Sequence, residues 1–245
     1  MRTTKARIGA MLFALYACLA ITSCSCDKWI KLFVFTGHRS PEECRRLADS
    51  RGTNDLTIIC PGEEVTVCWH SNVDKVSVSP KLGVQGPDGI GFLTLDQDTT
   101  VEASPADGSC AGKQQVNVKV IRGPTPSTWN GSWDPNCSKI SFEIHEEFVS
   151  KKVRALDITA TWSPTVGDPA TGNSVACSTP PFLDGFNKEE VFGFKIANPN
   201  QTVSFSRPLR AVANWEFKWT AQCPGSDLRC NPNANLPFDL TLICP

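Results

Sequence analysis

Cys60-Pro61-Gly62-Glu63-Glu64-Val65-Thr66-Val67-Cys68-Trp69-His70 reads as a tight turn running into a strand. Pro61-Gly62 punctuates the chain. Val65, Val67 and Trp69 then alternate with Thr66, Cys68 and His70. A period of two is that of a half-buried strand, whose successive side chains point to opposite faces. If Val67 and Trp69 face a core, Cys68 faces away from it.

The same period recurs on both sides of this stretch. Leu56-Thr57-Ile58-Ile59 precedes it, and Val76/Val78, Thr99 to Ala103 and Val116/Val118/Val120 follow, with Gly86-Pro87-Asp88-Gly89 as a turn. Short strands at such spacing, separated by Gly/Pro turns, predict a β-sandwich. Upstream, Ser40-Pro41-Glu42-Glu43 opens a short helix ending near Gly52. Ser40 caps it, Pro41 suits its first turn and Glu43 completes a capping box. Cys44 on that helix is expected to staple it to a neighbour. Trp29 to Phe35 is apolar and β-prone. It predicts a strand packed on the first domain rather than a segment inserted in a membrane surface.

Gly123-Pro124-Thr125-Pro126-Ser127-Thr128 has the composition of a linker. Beyond it Ile140/Phe142/Ile144, Ile158/Ala160/Trp162, Phe192/Phe194/Ile196, Trp215/Phe217/Trp219 and Phe238/Leu240/Leu242 alternate. The expectation is all-β: a signal peptide over 1–23, an anchor segment with the helix over 24–51, one sandwich over 52–122, a linker over 123–128 and a second sandwich over 129–245. The first sandwich resembles bacterial immunoglobulin-like domains. The residues that carry the resemblance are the Pro-Gly turn, the strand with Val67 and Trp69, Thr99-Thr100-Val101, and the closing Val116 to Val120. It implies a spacer, or a scaffold that presents binding loops, with no shared active site.

The N-terminus carries Arg2, Lys5 and Arg7, then an apolar run from Ile8 to Ile21. This is the order of a secretory signal, and it is shorter than the roughly 20 apolar residues a bilayer core requires. Ile21-Thr22-Ser23-Cys24 resembles the lipobox of bacterial lipoproteins. The resemblance implies cleavage before Cys24 and a membrane-lipid anchor on its sulfur. Each buried CH₂ contributes about 0.8 kcal/mol, so two or more chains hold stably. Ser25 at the next position, in place of Asp, implies the outer membrane. The competing readings are simple secretion after Ala20 and a eukaryotic glycoprotein, the latter from the Asn130, Asn136 and Asn200 triplets.

Twelve cysteines are present. With Cys18 in the leader and Cys24 on lipid, Cys26, Cys44, Cys60, Cys68, Cys110, Cys137, Cys177, Cys223, Cys230 and Cys244 remain. An even set in an exported chain points to disulfides. No Cys-x₂₋₄-Cys pair supports zinc, and no metal or cofactor is expected. Cys223–Cys230 is the natural local pair. Cys244, in phase with the last apolar strand, is expected to be buried and bonded. Each region holds five of the set, so a bond between the regions is expected.

Removing Arg2, Lys5 and Arg7 with the leader leaves 21 Lys+Arg against 25 Asp+Glu, a balance of −4. No basic stripe marks a nucleic-acid footprint. Glu143, His145 and Glu147 would share one strand face, and a solvated polar face is the expected reading. Cys68 and Ser71 are the potential nucleophiles nearest His70, without the Gly-x-Ser-x-Gly elbow. Trp129 and Trp133 flank the turn Asn130-Gly131-Ser132. They are either core residues or a stacking platform for a glycan or protein ligand. The reading as a whole is a lipid-anchored envelope protein with a structural or binding role and no catalysis. The alternatives are a glycan-acting envelope enzyme, and an inhibitor or immunity-type protein that binds an effector.

Overall fold

A computed structural model describes residues 26–51, 54–133, 139–160, 165–167, 174–176, 182–187, 190–194, 202–220 and 236–245. The described chain is all-β with one helix. Disulfides join Cys26 to Cys110, Cys44 to Cys68 and Cys60 to Cys244.

The first unit is a sandwich. One sheet has the order β1 (Ile30–Thr36), β3 (Glu63–Ser71), β6 (Gly89–Leu95), all antiparallel. The other has the order β2 (Leu56–Ile59), β8 (Gln114–Val120), β7 (Thr99–Pro105), β4 (Val76–Ser79), β5 (Gly83–Gln85). The predicted alternation sets the faces. Leu32 and Val34, Val65, Val67 and Trp69, and Leu93 and Leu95 meet Val76, Val78, Val101, Val116 and Val118 in one core. Trp69 lies under the turn before β6: its Nε1 donates to the Gly86 carbonyl at 3.1 Å. Gly89 is paired opposite it. A Cβ there would stand 2.3 Å from the indole, so the ring occupies the space a side chain would need.

Among the described residues no strand pairs with the outer edge of β1; side chains close it. Asn54 Oδ1 accepts from Val34 N at 3.3 Å, and its Nδ2 donates to Val34 O at 3.1 Å. Thr57 Oγ1 donates to the same carbonyl at 2.6 Å. Buried backbone groups are thereby paired, as burial demands.

α1 (Pro41–Arg51) covers the outer face of the three-stranded sheet. The capping box is formed: Glu43 N donates to Ser40 Oγ at 3.2 Å, and Ser40 N donates to Glu43 Oε2 at 2.9 Å. That backbone hydrogen bond from Ser40 holds the Glu43 carboxyl below its ordinary range. Cys68 faces away from Val67 and Trp69, as the period required. It meets Cys44 of α1 instead, among Phe33, Phe35 and Leu47. β1 is thus a strand of the sandwich, as the apolar run from Trp29 to Phe35 predicts, and α1 packs on its sheet.

The second unit is an eight-stranded arrangement. Its order is β15 (Glu190–Phe194), β14 (Phe182–Asn187), β17 (Asn214–Thr220), β10 (Lys139–Glu143), β9 (Thr125–Trp133), β18 (Leu236–Ile243), β11 (Arg154–Ala160), β16 (Thr202–Arg210). A small hairpin pairs β12 (Thr165–Gly167) with β13 (Ser174–Ala176). β9 joins the flanks: Thr125 to Gly131 pair with β18, Ser132 and Trp133 with β10. Phe142 and Trp215 from one flank share a core with Ile158, Leu209, Phe238, Leu240 and Leu242 from the other.

The expected linker is only partly one. From Thr125 onward it is strand, paired with β18 from Leu242 backward. Composition misleads there because, among the described residues, β18 is the one strand paired with β9 at Pro126, and an unpaired edge tolerates a residue without N–H.

The two units are joined closely. Ile58 N donates to Phe148 O at 2.7 Å and Ser150 N to Ile58 O at 2.9 Å, a parallel bridge on the free edge of β2. Thr36 N donates to Glu147 O at 2.9 Å, and Thr36 Oγ1 to Glu146 O. Glu63 Oε1 accepts from Ser150 Oγ at 2.9 Å and from Lys152 Nζ at 3.2 Å. Its other oxygen accepts from Cys60 N at 2.7 Å. Ile58, Cys60 and Ile121 of the first unit are buried in the core of the second, and Cys60–Cys244 is the expected bond between regions.

Candidate functional site

A groove of about 550 Å³ lies beside α1, on the outer face of the three-stranded sheet. The helix is too short to cover that face entirely. It shields Phe35 and leaves the start of β1 and the end of β3 open. The floor is Phe33, Ile90 and the Cys44–Cys68 disulfide. Lys31, His70 and Asp88 line the sheet side, Arg45 and Asp49 the helix side.

The sheet side is ordered by mutual contacts. His70 Nδ1 hydrogen-bonds Asp88 Oδ1, and the same carboxylate oxygen accepts from Ser71 N at 3.2 Å. Trp29 meets the His70 ring edge-on at 5.0 Å, and Lys31 Nζ stands 5.7 Å from the Trp29 ring centre. A ring quadrupole attracts such a cation by ~0.5–1 kcal/mol at an exposed site. An apolar floor with charges of both signs on the rim suits a ligand with an apolar body and a polar end.

The nucleophile candidates near His70 are otherwise engaged. Cys68 is in a disulfide, and Ser71 Oγ, on the opposite face, donates to Pro87 O at 2.8 Å. Glu143, His145 and Glu147 do not share a strand face. β10 ends at Glu143, and the chain then turns, with Phe148 N and Val149 N donating to His145 O. Glu143 remains 3.3 Å from His145 Nδ1, while the Glu147 carbonyl bonds Thr36. The polar run thus belongs to a strap between the units. The signal in the sequence was Phe148-Val149, an apolar pair that breaks the alternation. Among the described residues no three His, Cys, Asp or Glu converge to hold a metal ion.

Trp129 is partly buried against the core of the second unit, and its Nε1 has no partner among the described residues. It therefore lies nearer the core reading than the platform reading. Trp133 ends β9; its side chain lies outside the described residues, as do Cys24, Cys137, Cys177, Cys223 and Cys230. The α1 groove carries no motif that sequence reading could have found, because helix docking brings its walls together.

No protein-family model and no curated protein matches the chain. A crystal structure of a beta-glycosidase from Bacteroides vulgatus is similar at 12% identity with a TM-score of 0.28. The match covers 89% of this chain and 21% of that one, so the chain spans about a fifth of its length. A likeness of that degree fixes neither fold nor activity.

Proposed function

We propose that the chain is a lipid-anchored cell-envelope protein of the outer membrane, with a structural or binding role rather than a catalytic one. The observation that carries the reading is Ile21-Thr22-Ser23-Cys24 after a basic and then apolar leader. Three disulfides among the described residues support an oxidising compartment. No helix among those residues is long and apolar enough to cross a membrane, and a lipid on Cys24 needs none.

We read the first sandwich as immunoglobulin-like. Two packed sheets and the core Trp69 support that reading. It departs from antibody-type domains in having Cys68 bonded to a helix outside the core. In a binding role the α1 groove offers a concave site. The test is metabolic labelling with a fatty-acid analogue in an expressing bacterium. Label on the wild type that Cys24→Ala removes is the expected result. Label that persists in Cys24→Ala refutes the anchor.

A further inference from the structure

Cys26 is bonded to Cys110, and the residues after it are docked rather than loose. Asn72 Nδ2 donates to Asp27 O at 2.8 Å, Lys28 Nζ to Asn72 O at 2.8 Å, and Trp29 N to Asn72 Oδ1 at 2.7 Å. Cys24 lies two residues before Cys26. Two peptide steps span about 7 Å at full extension. A polar headgroup layer is about 5–8 Å deep on each side of the hydrocarbon. A lipid on Cys24 therefore leaves Cys26 no distance by which to stand clear of the bilayer.

We propose that the end of the first sandwich bearing Cys26, Trp29, Asn72 and Cys110 rests against the headgroup layer of the bilayer, and that the second unit is displayed from the opposite end. The inference rests on the Cys24 anchor. β1 starts at this end and finishes at Thr36, on the junction with residues 146–147. Six strand steps place that junction about 20 Å farther out. Trp29 is 38% exposed at the membrane end, and an indole suits the headgroup level, where one part is apolar and the other wet. Lys28, Lys31 and Lys75 at this end are equalled in number by Asp27, Asp74 and Asp107. The tether, not attraction to anionic lipid, sets the contact. The Lys31–His70 end of the groove then lies on the membrane side.

The full lipidated chain is reconstituted in phosphatidylcholine vesicles, with and without phosphatidylcholine brominated near the carbonyl end of its acyl chains. The intact mass reports acylation, and tryptophan emission reports depth. The chain has seven Trp, so the comparison is with Trp29→Phe. A second variant carries twelve Gly/Ser residues between Ser25 and Cys26, a spacer of about 17–21 Å r.m.s. length that leaves the folded part unaltered. The expected result is a quenched component that Trp29→Phe removes, that the spacer abolishes, and that high salt leaves in place. An acylated protein whose quenching is the same without Trp29, or survives the spacer, overturns the orientation alone. An unacylated protein overturns the anchor and the orientation together.

Discussion

Replacing both Cys60 and Cys244 by Ala removes the one covalent link between the units that the described residues show. The bond closes a sequence separation of 184 residues. In the chain-entropy account, freeing a loop of that length gives the unfolded state about 5 kcal/mol at 25 °C, and native disulfides lost from folded domains typically cost about 2–5. Cys60 is also buried beside Ile58 and Ile121, so truncation adds a small cavity cost. The expected loss is about 3–5 kcal/mol. The Ile58 bridge, the Thr36 bonds and the Glu63 contacts remain in the variant. The two units should therefore still unfold together, with a steeper denaturant dependence because the unlinked unfolded chain is more expanded. Equilibrium unfolding in guanidinium, followed by tryptophan fluorescence and far-UV circular dichroism, measures both quantities. A loss under about 1 kcal/mol would refute the constraint argument. Separate transitions for the two probes would refute the claim that the junction couples the units.

Gly89→Ala places a methyl group 2.3 Å from the Trp69 ring. It should cost about 2–3 kcal/mol as an overpacking defect and change Trp69 emission. Gly86→Ala, where no atom lies within 4 Å, should stay within about 0.5 kcal/mol of wild type; equal effects of the two would discredit the close-approach reading. Asp107 accepts from Ser109 N at 3.0 Å and Asp74 N at 2.9 Å. The Ser109 backbone bond, then that of Asp74, lower its pKa from 3.8 to about 2. Its contribution is present above its unfolded value and fades as pH falls through about 2. The Ser109 and Asp74 amide resonances should shift with that midpoint and lose the shift in Asp107→Asn; a midpoint near 4 would contradict the bonding.

Period-two patterning carried most of the core. Val65, Val67 and Trp69, Val116, Val118 and Val120, and Phe238, Leu240 and Leu242 are all buried as alternation requires. The capping box was equally plain, since Ser40 and Glu43 make their bonds within one turn of chain. Reading failed where a segment's partner is distant. Residues 144–150 look like a polar strand face, yet they bridge to β2. Residues 125–128 look like a linker, yet they pair with a strand more than a hundred residues away.

The amino-acid sequence by itself determined the all-β class, the helix start, the outward direction of Cys68 and the even set of cysteines. Each of these depends on side-chain period, local capping or composition, all of which act over a few residues. The pairing of Cys60 with Cys244, the closing of β1 by Asn54 and the groove beneath α1 were decided by tertiary structure alone. They depend on which distant surfaces meet, and that is fixed by the shared burial of two cores rather than by any local preference. The same holds for residues 26–29: only tertiary structure docks them on Asn72 and bonds Cys26 to Cys110.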